Sequence, residues 1–157
     1  MDTIMAVHEN VALARSLLDL YNHRQSDPAW LEKTLAAFAA DAELIDVPSG
    51  TTLHGPDGYK RIVLFFAENF PDERVELIDA FATEDRATLE CIWRWNDTGP
   101  LYLSAGALPN RRRSGELRGC FVLQLRQGKI TSLRQYYDMM TQMEQLGLVP
   151  AHGQAMQ

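Results

Sequence analysis

The chain has 157 residues and 17.8 kDa, with 46% hydrophobic and 23% charged residues, enough for one domain with a substantial core. A formal net charge of −6 and a pI of about 5.1 argue against a nucleic-acid binder, which needs a concentrated positive footprint. No apolar run reaches transmembrane length and no basic segment precedes an apolar core near Met1, so neither a membrane span nor a secretory signal is predicted, and a cytoplasmic protein is expected.

In chain order, Val11, Leu13, Ala14, Leu17, Leu18, Leu20 and Tyr21 recur at three and four, predicting an amphipathic helix over Asn10–Asn22. Ser26-Asp27-Pro28 supplies a cap and a first-turn proline for a second helix to about Phe38. Glu43–Val47 is predicted as a strand, stopped by Pro48-Ser49-Gly50. After the turn His54-Gly55-Pro56-Asp57-Gly58, a third helix runs to about Asn69 with Tyr59, Ile62, Val63, Phe65 and Phe66 on a wide apolar face. Two strands follow, Arg74–Thr83 and Ala87–Asn96, then a turn at Asp97-Thr98-Gly99-Pro100. Tyr102–Ser114 is expected as a loop or irregular edge, with Arg111-Arg112-Arg113 solvated. Leu117–Leu125 and Lys129–Tyr137 form a hairpin whose turn uses Gly128 for a left-handed position, and a short helix, Met139–Leu146, precedes a frayed tail at 151–157.

This order predicts one α+β domain over residues 1–157: a cone in which three N-terminal helices pack on a strongly curved, mostly antiparallel sheet. A bent sheet folded over helices leaves a cavity at its open end, lined by polar groups on inward strand positions. In the last strand Ile130, Ser132, Arg134, Tyr136 and Asp138 share one face, and Thr131, Leu133, Gln135 and Tyr137 the other. The polar end of the first set marks Arg134, Tyr136 and Asp138 as pocket candidates: a carboxylate for acid–base work beside donors for an oxyanion. Asp138 serves equally as a helix N-cap, and Arg134 as half of an ion pair. In the preceding strand Leu89, Cys91, Trp93 and Trp95 oppose Thr88, Glu90, Ile92, Arg94 and Asn96. The spacing leaves the inward set open, with a slight preference for Glu90, Ile92 and Arg94; Trp93 and Trp95 then form either an aromatic wall or an interface. Asp46 ends the first strand, as a ligand contact or a turn stabiliser. His54 is a usable base at the third helix's start, or an exposed turn residue. Cys91 and Cys120 are expected as buried free thiols, and no His or Cys spacing supports a metal site.

The stretches LIDVPSGTTLHGPDGYKRIVLFF (Leu44–Phe66), NFPDERVEL (Asn69–Leu77), DTGPL (Asp97–Leu101), GALPNRRRSGELRG (Gly106–Gly119) and QGKITSLRQYYDMMTQMEQLGLVP (Gln127–Pro150) together resemble the SnoaL-like polyketide cyclases, or ester cyclases, of the nuclear-transport-factor-2-like superfamily. The resemblance implies a helix-and-sheet cone, a homodimer through the sheet's outer face, and ring closure by aldol chemistry without metal or organic cofactor. Relatives in the superfamily isomerise ketosteroids, dehydrate, hydrolyse epoxides or have no known catalysis, so fold does not settle function. Similar cyclases carry Gly-Thr-His-Thr-Gly where this chain has Trp95-Asn96-Asp97-Thr98-Gly99, so Asp97 stands at the histidine position, as a base or in an Asx-turn. They also place an acid near Leu117–Gly119, where the nearest acid here is Glu116. Tyr21 matches a helix tyrosine that faces the cavity in some cyclases.

Three functions follow from this reading. The first is a cofactor-independent cyclase or isomerase acting next to a carbonyl of a small apolar or aromatic molecule. Its base would be Asp97, Asp138 or His54, its oxyanion donor Tyr136 or Arg134, and its ligand contacts Tyr21, Asp46, Glu90, Trp93, Arg94 and Trp95. The second is a non-catalytic ligand-binding or accessory domain. The third is an epoxide hydrolase-like enzyme needing an Asp-Arg-Asp cluster from Arg94 or Arg134 and two of Asp46, Asp97 and Asp138.

Overall fold

The computed structural model describes residues 2–96, 101–103, 106–108 and 113–150. Helix α1 (Thr3–Asn22) buries Asn10, Ala14, Leu17, Leu18 and Tyr21 at three- and four-residue spacing, so one stripe meets the sheet. Asp2 caps it by accepting a bond from Ile4 N at 3.2 Å. A short α2 (Trp30–Leu35) leads into strands β1 (Phe38–Asp46) and β2 (Thr51–His54) before α3 (Gly55–Asn69). Strands β3 (Arg74–Ala82) and β4 (Arg86–Trp95) follow, then the short β5 (Leu101–Leu103) and β6 (Gly106–Leu108). The chain continues through β7 (Gly115–Arg126) and β8 (Lys129–Tyr137) to α4 (Met139–Gln145).

Six strands form one curled sheet in the order β2-β1-β8-β7-β4-β3, while β5 and β6 pair separately. Every neighbour in the large sheet is antiparallel except β1 and β8, which run parallel. Register shifts interrupt β1, β3 and the β7–β8 pair, and such bulges bend a sheet. The grouping into three N-terminal helices is corrected: β1, around the expected Glu43–Val47 strand, and the unexpected β2 intervene between α2 and α3, and the short helix expected from Met139 is a fourth, α4. The second helix also ends earlier than expected. Phe38 and the alanines after it favour helix locally, yet Phe38 pairs with Ile130, and Ile130 N donates to Ala37 O at 2.8 Å. The β7–β8 turn is as expected, with Gln127 (φ 52°) and Gly128 (φ 72°) both left-handed between the paired Arg126 and Lys129.

The core lies between the helices and one face of the sheet. Leu44, Leu89, Trp95, Leu123 and Ile130 are its most completely buried large side chains. Opposed pairs fix which face this is. Leu89 meets Phe121, Cys91 meets Gly119, and Trp93 meets Leu117 on the helix side. On the other side Glu90 meets Cys120, and Arg94 meets Glu116.

Gly119 is required by this packing. A Cβ at that position would collide with the Trp93 ring and with the Tyr136 carbonyl oxygen, and the latter, being backbone, cannot rotate away. Gly119→Ala is expected to lower stability by about 2–3 kcal/mol. Urea denaturation of the two proteins measures it; an unchanged midpoint would mean that β7 shifts freely and that Trp93 is not fixed against it.

Candidate functional site

Two cavities open between the helices and the sheet. The outer one, of about 630 Å³, is bounded by α3, by the ends of β1 and β8, and by α4; Phe65, Phe66, Phe70, Met139 and Met143 give it largely apolar walls. Its size lies within the range of small-molecule sites. The inner one, of about 40 Å³, lies between α1, α3 and the sheet, against Leu17, Tyr21, Glu73, Trp93, Phe121 and Gln135. It has room for a water or two, or for one small functional group.

Asp46 is the buried acid of the outer cavity, with 8% of its surface exposed. The β1 alternation that buries Ala42 and Leu44 carries Asp46 to the same side. Tyr137 Oη donates to Asp46 Oδ2 at 3.1 Å, and Ser49 Oγ, from the turn after β1, bonds the same oxygen. Burial and the adjacent Asp46 hold the Tyr137 hydroxyl well above the usual phenol range, so it keeps its proton and acts as a donor. Asp46 Oδ1 is buried and has no hydrogen-bond partner among the described residues. Such an oxygen is costly in the resting fold, and because it is buried a bound molecule reaches it only by displacing the side chains that cover it.

Glu73 is the acid of the inner cavity. It precedes β3, is 5% exposed, and accepts a hydrogen bond from Tyr21 Oη at 2.9 Å. Arg24 lies nearby, but its guanidinium donates to the carbonyls of Tyr21, Glu73, Phe70 and Pro71, and its Cζ lies 4.2 Å from the Tyr21 ring centre. Desolvation dominates, pushing the Glu73 carboxyl from 4.5 up to about 8 against the lowering effect of the Tyr21 bond and of Arg24. Burial, reinforced by Glu73, pushes the Tyr21 hydroxyl far up as well.

The predicted site residues are distributed unevenly about these cavities. Tyr21 and Trp93 line the inner cavity and Asp46 the outer. Trp95 is buried against Phe70, with ring centres 4.9 Å apart, and borders neither. The preference for Glu90 and Arg94 as inward residues is corrected. Both are exposed, with Arg94 bonded to Glu76 and Glu116, and Ile92 lies on that same outer face, because the apolar Leu89, Cys91, Trp93 and Trp95 take the core side. Arg134 and Tyr136 likewise lie on the outer face, opposite Val122 and Cys120, while Leu133 and Gln135 are buried and Tyr137 reaches the outer cavity. Asp138 is exposed and caps α4, accepting from Met140 N (2.9 Å), Thr141 N (3.3 Å) and Thr141 Oγ1 (2.7 Å). The Thr141 hydroxyl bond, with those backbone bonds, holds its carboxyl below the usual range. His54 is exposed at the start of α3 and lines neither cavity. Asp97 lies outside the described residues. With Arg94 and Arg134 turned outward, no Asp-Arg-Asp cluster forms around Asp46 among the described residues. Nor do those residues hold a His, Cys, Asp or Glu group suited to a metal.

Sequence reasoning passed over Glu73, Gln135, Tyr137 and Ser49. Glu73 stands between Asp72 and Arg74, a charged run with the look of a solvated turn. Gln135 and Tyr137 carried a usable signal, since they share parity with Leu133.

The elevated Glu73 pKa makes stability depend on pH with a definite sign. The folded state holds this proton more tightly than the unfolded chain, so the contribution is complete below about pH 4.5 and is lost as pH rises to about 8. The loss is on the order of a few kcal/mol. Glu73→Gln, neutral throughout, is expected to flatten that part of the decline. Urea denaturation of both proteins at pH 5 and pH 8.5 tests this; equal slopes would show that Glu73 is ionised in the fold.

The sequence model of the SnoaL-like polyketide cyclases matches residues 12–146. Solved structures share the fold. A protein from Jannaschia sp. CCS1, named as a SnoaL-like polyketide cyclase, is 15% identical with a TM-score of 0.78, covering 96% of this chain and 99% of its own. IdmH from Streptomyces antibioticus, named as a polyketide cyclase, is 22% identical with a TM-score of 0.66 over 87% and 96% of the two chains. An LEH-like epoxide hydrolase from M. tuberculosis is 13% identical with a TM-score of 0.66 over 90% and 92%. Among curated protein sequences there is no match. With 12–146 of its 157 residues matched, the chain belongs to the SnoaL-like polyketide cyclase family.

Proposed function

We propose that the protein is a cytoplasmic, cofactor-independent enzyme that removes a proton next to the carbonyl of a small apolar or aromatic molecule, leading to isomerisation or cyclisation. One observation carries this reading: Asp46, a buried carboxylate with one unpartnered oxygen, lines a 630 Å³ apolar cavity. Tyr137 and Ser49 hold Oδ2, which orients the carboxylate and leaves Oδ1 as the proton acceptor. The proton passes from the α-carbon to Oδ1 as the C–H electron pair forms the enolate C=C bond and the carbonyl π pair moves onto oxygen. Arg61 and Gln142, which line the same cavity, are the donors available to the enolate oxygen. Return of the proton to another carbon completes an isomerisation; attack of the enolate carbon on a second carbonyl forms the ring C–C bond, and the resulting alkoxide takes the proton back from Asp46 to complete a cyclisation. The base is thus Asp46, in place of Asp97, Asp138 or His54. Free thiols at Cys91 and Cys120 accord with a reducing compartment.

A non-catalytic binding domain is the second reading, favoured by the way Trp93 and Phe121 fill the inner end of the cone. Solvent deuterium exchange into 2-tetralone and ethyl acetoacetate, followed by NMR, separates the two. The wild-type chain is expected to accelerate exchange and Asp46→Asn to lose roughly 10²–10⁴-fold of that acceleration. No acceleration, or an unimpaired Asn variant, would sink the enzyme reading.

The outer sheet face supports a homodimer. Val47 and Tyr136 are each 38% exposed there, beside half-buried Ile45, Cys120 and Val122. Burying such a patch is the ordinary reason for its exposure. Tyr136→Lys is expected to convert a dimer to a 17.8 kDa monomer in light-scattering measurements; a wild-type monomer at all concentrations would exclude this interface.

A further inference from the structure

The inner and outer cavities share two lining residues, Ile62 and Phe66, one turn apart on α3. The two cavities therefore adjoin at these side chains, and the Phe66 ring, whose centre lies 5.5 Å from that of Phe65, borders both. A ligand that spans both compartments has to displace these side chains.

The inner cavity has a composition that packing alone does not require. Leu17, Val75, Leu89 and Trp93 would close it as an apolar core, yet Glu73 and Gln135 also line it, 5% and 8% exposed. Tyr21 Oη bonds one Glu73 oxygen. Arg24 spends its donors on backbone carbonyls and forms no ion pair with the Glu73 carboxyl. Desolvated and without a direct ion pair, Glu73 retains its proton at neutral pH against the lowering effect of Arg24, and an acid in that form both donates and accepts. The Gln135 amide also offers a donor and an acceptor. The partner that satisfies an acid and an amide across about 40 Å³ is a group the size of water that itself donates and accepts. An anion finds no cation there.

We infer that the inner cavity is a subsite for a hydroxyl group of the ligand, bridging Glu73 and Gln135, while the apolar body passes Phe66 and lies in the outer cavity. Resting on the reading of the outer cavity as the reaction site, this defines the substrate class as an elongated apolar carbonyl compound with a hydroxyl at the end remote from the reacting carbon. Asp46 and the Glu73–Gln135 pair then read opposite ends of one molecule.

The test uses 2-naphthalenemethanol and its near-isostere 2-ethylnaphthalene, titrated into the full chain by calorimetry. The alcohol is expected to bind ~10-fold more tightly to the wild type, and at least as selectively to Phe66→Ala. Glu73→Leu should erase the preference and leave 2-ethylnaphthalene binding unchanged, whereas Glu73→Gln should keep it. Equal affinities for both probes in wild type and Phe66→Ala, or a preference that survives in Glu73→Leu, would overturn the inference. Should the Leu variant not fold, a crystal of the wild type with the alcohol decides: a hydroxyl within hydrogen-bond distance of Glu73 or Gln135 supports the subsite, and one confined to the outer cavity refutes it. Asp46→Asn should retain the alcohol preference, so a failed base at Asp46 appears in deuterium exchange alone and a failed subsite in probe selectivity alone.

Discussion

The parallel pairing of β1 with β8 places Asp46 opposite Gln135 in register, and Val47 N donates to Gln135 O at 3.1 Å just beyond it. That pairing lets Tyr137 reach an aspartate 91 residues away in sequence. It also fixes parity. Once Leu133 is buried against the helices, Gln135 and Tyr137 must follow it inward, and Arg134 and Tyr136 must face out. A slip of one residue would bury the arginine and expel the tyrosine that bonds Asp46. The polar lining of the cone is therefore a consequence of strand register, and register is held by the apolar residues between the polar ones.

The two buried acids have been given opposite surroundings. Asp46 receives two hydroxyl donors on one oxygen and keeps the other oxygen free. Glu73 receives one hydroxyl in a small chamber that it shares with Gln135, and desolvation dominates its titration. Different hydrogen-bond surroundings are how one protein gives two buried acids different roles in adjoining cavities. The cone arranges this with the ordinary materials of its fold: the last residue of a strand, and a turn residue tied to the first helix.

Much of the architecture was legible in the sequence. Periodicity located α1 and α3, strands β3 and β4 and the β7–β8 hairpin with its left-handed Gly128, whereas β5 and β6 fall where a loop or irregular edge was expected. The site was less so, for reasons visible in particular residues. Alternation divides β4 into Leu89, Cys91, Trp93, Trp95 and Glu90, Ile92, Arg94, but a strand covered on one side by helices and on the other by a half-exposed sheet face offers apolar residues to both. Ile92 is buried on the outer side, which blurs the contrast. In β8 the polar residues Arg134 and Tyr136 drew attention as anomalies of an inward strand, whereas they are normal occupants of an outward one. Glu73 was illegible because its burial depends on α1 crossing β3, with Asn22 bonding Val75 and Arg24 bonding the Glu73 carbonyl. Nothing within Asp72-Glu73-Arg74 records that crossing.

The same tertiary ties separate the rigid from the yielding part of the cone. Around Glu73 the connections run from side chains at and just beyond the end of α1 to backbone atoms of the β3 segment, and opening them would expose Leu17, Leu18 and Val75. The outer cavity is walled instead by α4, a seven-residue helix with no buried residue, carrying Met139 and Met143. It is anchored chiefly at its ends: Asp138 caps the start, Gln145 clasps the Glu116 backbone through N–H and C=O at 2.8 Å each, and Leu146 just beyond is buried. An element with little buried apolar area opens at low free-energy cost, and unbranched methionines adapt to different shapes without a fixed rotamer. Entry of a ligand thus falls to the wall whose displacement leaves both acids, and the strands that hold them, in place.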